Sequence, residues 1–284
     1  MAYAHPESLV TTEWLAAHLS DPAVAIIDAS WHMPATGRKA RAEFEEAHIP
    51  GARYFDIDEI ADKSSDLPHM APNVMAFGTK VGALGISNDQ QVICYDANAG
   101  AGAAMRAWWM FRLFGHDRVA VLNGGFGKWK AEGRPVESGA PTITPARFGA
   151  RPKPALVRTL AQIKTNVASQ QEQLVDVRSA GRFNGTEPEP RAGLRGGHVP
   201  GSLNLPFPLL LDPAHGNVVR PAEELVKAFD AAKVDRSKPI VTSCGSGVTA
   251  CVAAFALHLL GTESAVYDGS WTEWGGRGDT PVES

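Results

Sequence analysis

His48-Ile49-Pro50-Gly51-Ala52 recurs as His198-Val199-Pro200-Gly201-Ser202, and what surrounds the first copy surrounds the second in the same order. Upstream, Val24-Ala25-Ile26-Ile27-Asp28 resembles Leu174-Val175-Asp176-Val177-Arg178. Downstream, Val92-Ile93-Cys94-Tyr95-Asp96 pairs with Ile240-Val241-Thr242-Ser243-Cys244, and Asn123-Gly124-Gly125-Phe126 with Asp268-Gly269-Ser270-Trp271. Pro135-Val136-Glu137-Ser138 returns as Pro281-Val282-Glu283-Ser284. The offsets stay between 145 and 150, the drift that loop insertions produce. Five ordered matches define an internal duplication. A first copy is expected over 1–138 and a second over 155–284. Between them, 139–154 reads as a linker, because Pro141, Pro145, Pro152 and Pro154 disfavour helix and central strand.

Within each copy, short apolar β-type runs alternate with helical patterns. Pro239–Thr242 reads as a strand, Thr249–Leu260 as a buried helix and Val266-Tyr267 as the next strand. This alternation predicts an α/β fold: two tandem domains, each a mainly parallel sheet flanked by helices. Functional groups in such sheets gather at the carboxyl ends of the strands.

Composition narrows the function classes. The chain has 284 residues, 44 % hydrophobic and 20 % charged, which is ordinary for globular domains. A net charge of −4 argues against a nucleic-acid or anionic-membrane partner, which would need a basic face. No apolar run approaches the roughly 18 residues of a membrane span. Met1 to Trp14 has neither a basic n-region nor an apolar h-region, unlike a secretory signal. Three cysteines are too few and too odd for a disulfide framework, and none has zinc-site spacing, so no metal or organic cofactor is implied. A cytoplasmic protein with free thiols is expected.

Chemistry concentrates in Ser243-Cys244-Gly245-Ser246-Gly247-Val248-Thr249-Ala250. A strand ends at a cysteine, a glycine-rich turn follows, and a helix begins. Glycines let successive N–H groups point inward, and the helix start adds free N–H groups and a positive dipole end. Such a cup favours the thiolate, the reactive form of cysteine. A lone cysteine at a strand end is ordinarily buried filler; Cys94 and Cys251 are read that way, while the context of Cys244 points to a nucleophile. Cys251 follows by about two helical turns, too far for a comfortable disulfide with Cys244.

The two-copy layout, the Cys244–Ala250 run and both His-x-Pro-Gly motifs resemble the tandem-rhodanese sulfurtransferases, and among them the 3-mercaptopyruvate branch. Gly181-Arg182-Phe183-Asn184-Gly185-Thr186-Glu187-Pro188-Glu189-Pro190-Arg191 carries the same resemblance. It implies that only the second copy holds the nucleophile, consistent with Asp96 at the matching position of the first. It further implies that Cys244 takes sulfur from 3-mercaptopyruvate as a persulfide, releasing pyruvate. Cyanide, a small thiol or a dithiol protein such as thioredoxin then accepts the sulfur. Arg182 and Arg191 would hold the donor's carboxylate and carbonyl. The amides of Gly245, Gly247, Val248 and Thr249 would cradle the charged sulfur. Ser246 would join His69 and Asp58 in a proton relay. Plainer roles exist for these groups: Ser246 as a helix cap, His69 as a loop residue, the arginines as a surface pair. His48 and His198 are read as structural, since the copy lacking the nucleophile keeps its histidine.

Three other functions compete. A thiosulfate:cyanide sulfurtransferase of this family carries basic residues after the cysteine; here stand neutral Gly245 and Ser246. Two absent charges near a dianion could cost several kcal/mol at reduced dielectric. A cysteine phosphatase needs an arginine clamp six residues on, where this chain has Ala250. A non-catalytic sulfide-sensing scaffold would have no need to keep Cys244 with Ser246, Arg182 and Arg191.

Overall fold

A computed structural model describes residues 2–97 and 102–284. In the first copy, β1 (Leu9–Val10), β2 (Val24–Asp28), β3 (Arg53–Tyr54), β4 (Gln91–Tyr95) and β5 (Val119–Leu122) form one sheet in the order β1-β5-β4-β2-β3. The second copy contributes β6 (Val157–Arg158), β7 (Gln173–Asp176), β8 (Leu203–Asn204), β9 (Leu211–Asp212), β10 (Val218–Val219), β11 (Ile240–Ser243) and β12 (Ala265–Tyr267). Its sheet runs β6-β12-β11-β7-β8, the same permutation, while β9 and β10 form a separate antiparallel pair. Every pairing in the two large sheets is parallel. The expected α/β architecture, two tandem domains each with a mainly parallel sheet flanked by helices, is the one observed.

One strand is shorter than its sequence suggests. β7 stops at Asp176, although Val177 and Arg178 continue the expected run. The Asp176 carboxylate accepts the Arg178 backbone N–H at 2.9 Å and the Arg178 guanidinium at 2.5 Å. That local pairing turns the chain out of the sheet.

The two copies meet through helices that are largely apolar and buried almost all round. All ten residues of the helix Ala250–Leu259 are buried, as are ten of the helix Ala103–Leu113. A helix without a polar face needs apolar neighbours on every side. Here each covers the other, with Trp108 edge-on to Phe255 at 4.8 Å. The largest core cluster therefore runs through both copies, from Phe55 and Phe111 in one to Val175 and Leu257 in the other.

Segment 139–154 holds no strand but is strapped along the first copy. Its amides at Ala146, Gly149, Arg151 and Lys153 donate to Gly82 O, Asn88 Oδ1, Phe114 O and Leu113 O at 2.7–2.8 Å. Phe148 is buried against Phe77 and Phe111.

The repeated His-x-Pro-Gly turns close each copy on itself. His48 stacks on Phe44 and its Nδ1 bonds Phe44 O at 2.7 Å; His198 does the same with Phe183 at 2.8 Å. Glu137 and Glu283, from the repeated Pro-Val-Glu-Ser, accept the N–H of Gly51 and Gly201 at 2.9 and 3.1 Å.

The duplication exposes one charge left without its counter-ion. Asp176 of the second copy is paired with Arg178, but the equivalent of Arg178 beside Asp28 is Ser30. Burial raises the Asp28 carboxyl to about 6, hydrogen bonds from Ser30 and Tyr95 offset part of this, and Asp96 adds to it. The folded chain thus binds this proton more tightly than the unfolded chain. The resulting stability is full below about pH 4 and is lost as pH rises through about 6. Asp28→Asn keeps the acceptor for Ser30 and cannot ionise. Urea titrations should show the variant more stable than wild type at pH 7, by about 1–3 kcal/mol, with the gap closing at pH 4. A gap independent of pH would refute this account.

Candidate active site

Cys244 immediately follows β11, at the carboxyl end of the sheet's central strand. It is 1 % exposed and forms the floor of a cleft of about 560 Å³. The loop beyond it is held from behind. Trp271 N–H donates to Cys244 O at 3.0 Å, and the N–H and hydroxyl of Thr272 donate to Gly245 O at 2.8 and 2.6 Å. Gly247 O accepts from the Arg106 guanidinium at 3.2 Å and the Cys251 thiol at 3.3 Å. With the carbonyls engaged outward, the N–H groups from Gly245 to Thr249 make no backbone hydrogen bond among the described residues. Unspent donors around a sulfur suit an anion. Gly247 holds the turn at φ +78°, and a Cβ there would lie 2.5 Å from Asp268 O.

Both arginines of the 181–191 segment reach this loop. A Cβ on Gly245 would lie 3.0 Å from Arg182 Nη2 and 3.9 Å from Arg191 Nη1. Arg182 is braced by Glu189, donating to its two oxygens at 3.2 and 2.6 Å. Glu189 is itself buried and also receives Arg178 at 2.7 Å. Arg191 makes no ion pair among the described residues; its Nη2 donates to Ser246 Oγ at 3.4 Å. Burial lowers the pKa of its guanidinium, and negative charge on Cys244 acts the other way. Among the described residues Arg191 is thus a cation without an ion-pair partner, open to an anionic ligand.

The first copy supplies the opposite wall through Trp31, His32, Met33, Thr36 and Arg38. Asp58, on the short helix Ile57–Ile60, accepts Trp31 Nε1–H at 2.8 Å and His69 Nδ1–H at 2.5 Å. Burial works against the Asp58 charge, but His69 and Trp31 hold its carboxyl below the usual range. His69 has a left-handed backbone, φ 63°, and its Nε2 is buried without a partner. The Asp58–His69 bond is therefore formed. A bond from His69 to Ser246 is not among those the described residues make; Ser246 bonds Arg191 instead.

Cys94 and Cys251 are buried and all three cysteines are free. Burial pushes the Cys251 thiol up to about 12 although Arg106 works against it, which disfavours its thiolate. No cluster of three metal-ligating side chains occurs among the described residues. No helix is long and apolar enough to cross a membrane.

Sequence reasoning missed Trp31, Glu189 and Arg106. Trp31 had a usable signal, since it stands just past the carboxyl end of β2. Arg106 had one too: a cation in the middle of a largely apolar helix, flanked by Met105 and Ala107.

Two matched parallel sheets, with a cysteine at the carboxyl end of the central strand in the second, define a duplicated α/β protein. The chain belongs to the rhodanese-like domain family, whose model matches residues 11–132 and 159–277. It is 45 % identical to thiosulfate/3-mercaptopyruvate sulfurtransferase 1, mitochondrial, of Arabidopsis thaliana, covering 98 % of this chain and 78 % of the relative. It is 46 % identical to the thiosulfate sulfurtransferase of Bos taurus, covering 94 % and 91 %. The crystal structure of the 3-mercaptopyruvate sulfotransferase SseA from Escherichia coli superposes with a TM-score of 0.85 at 37 % identity, covering 93 % of this chain and 98 % of that one.

Proposed function

We propose that the chain is a 3-mercaptopyruvate sulfurtransferase working through a Cys244 persulfide. One observation carries the choice of donor: the loop around Cys244 is lined by neutral side chains, with the guanidiniums of Arg182 and Arg191 lying across Gly245. Those two forks suit the carboxylate and carbonyl of an α-keto acid. The Cys244 thiolate attacks the donor sulfur, the carbon–sulfur bond breaks, and its electron pair leaves on carbon as pyruvate enolate, which takes a proton. The amides from Gly245 to Thr249 stabilise charge on the sulfurs. Asp58 orients His69, and Ser246, within the loop, accepts from Arg191 at 3.4 Å; Ser246, His69 and Asp58 form the proposed proton relay. A thiol or cyanide then removes the outer sulfur and regenerates the thiolate. In this reading 1–138 forms a wall of the site and 155–284 carries the chemistry.

A thiosulfate donor is the second reading, favoured by the bovine relative's name at 46 % identity. Overall identity does not separate the donors, so the loop decides. Steady-state assays with both donors and one acceptor should give kcat/KM at least about tenfold higher for 3-mercaptopyruvate, the cost of the missing loop charges. Equal or reversed values would overturn the donor assignment and leave sulfur transfer standing. Buried free thiols suit a reducing compartment such as the cytoplasm; a mitochondrial one, as in the Arabidopsis relative's name, suits them equally.

A further inference from the structure

We propose that Arg106, from the copy without the nucleophile, is a positioning residue that sets the cysteine loop and His69 in register. This rests on reading Cys244 and His69 as working groups. Arg106 is fully buried within the helix Ala103–Leu113 and lies over the Trp109 ring at 4.3 Å. One guanidinium nitrogen donates to His69 O at 2.5 Å. The other reaches Gly247 O at 3.2 Å and Asp268 Oδ1 at 2.6 Å. Burial works most strongly against its charge, but Asp268 and Cys251 together hold its pKa above the ordinary value.

An ion pair that only joined the copies would need Asp268 alone. Arg106 also takes the carbonyls of His69 and Gly247, and both residues have positive φ. A positive-φ residue holds its place only when its surroundings over-determine it. The Gly247 carbonyl, drawn to Arg106, leaves the loop amides facing the cleft. The His69 carbonyl, drawn to the same group, aims the unpartnered Nε2. Asp268 extends the link, because its Oδ2 accepts Ala71 N–H, two residues after His69, at 2.8 Å. A planar fork spans acceptors from two domains; a lysine ammonium keeps the charge but lacks the fork.

Arg106→Lys is the first test, with melting temperature, kcat, KM and the pH profile of kcat measured together. The expected result is a folded enzyme with kcat down at least about tenfold, donor KM within about threefold, and a displaced pH profile. A purely structural role predicts a lower melting temperature with wild-type kcat and pH profile per folded molecule, and that result overturns the proposal. Should Arg106→Lys fail to fold, Arg106→Met combined with Asp268→Asn removes both buried charges and is judged by the same criterion. Cys244→Ser run alongside separates the two readings. Transfer persisting in Cys244→Ser would sink the nucleophile. An inert Cys244→Ser beside a wild-type Arg106 variant would sink only the positioning role.

Discussion

Cys244→Ser should reduce sulfur transfer by at least about a thousandfold from either donor, while leaving the fold and its urea midpoint almost unchanged. The side chain is buried at the cleft floor, and serine replaces it with nearly the same shape. A hydroxyl cannot hold sulfane sulfur, so the covalent route is lost rather than slowed. Mass spectrometry supplies the independent reading: wild type incubated with 3-mercaptopyruvate gains one sulfur on the peptide containing Cys244, and the variant gains none. Sulfur appearing on Cys94 or Cys251 instead would contradict the geometry, since of the three only Cys244 lines the cleft and Cys251 already bonds Gly247 O.

Gly247→Ala should be the most damaging change of a single carbon. The backbone there sits at φ +78°, a conformation costing an L-residue roughly 1–2 kcal/mol. The new Cβ would also stand 2.5 Å from the Asp268 carbonyl, so the loop or the strand end must shift. A shift of the loop turns its amides and moves the Gly247 carbonyl off Arg106. Loss of about 100-fold in kcat is expected, the scale of one oriented donor in an oxyanion site. Stability should fall by about 2–4 kcal/mol as strain and crowding add. Wild-type kcat in a destabilised variant would show that the loop amides do not act on the reacting sulfur.

The loop itself was legible in the chain, because a strand, a cysteine, alternating glycines and a helix follow one another without interruption. The duplication was legible for the same local reason, down to β2 at Val24–Asp28. Contacts spanning long stretches of chain were not. Glu189 was visible as a residue, but its bridging of Arg178 and Arg182 depends on how the 181–191 segment folds back. Arg106 meets Gly247 across 141 residues and His69 across 37, distances over which no spacing rule operates. The proline-rich stretch reads as a tether in sequence, yet its amides find acceptors on the first copy. Composition disfavours regular structure there without saying what the segment packs against.

The shared core has a consequence for how such a duplicated chain can change over generations. The first copy carries Asp96 where the second carries Cys244, yet its Trp108 and neighbours pack against Phe255 of the second copy. Deleting the first copy would strip the cover from the helix Ala250–Leu259, all of whose residues are buried. The loop after β4 could diverge from the cysteine loop, but the facing helices could not, so the two halves drift apart at those loops while staying matched along their backs.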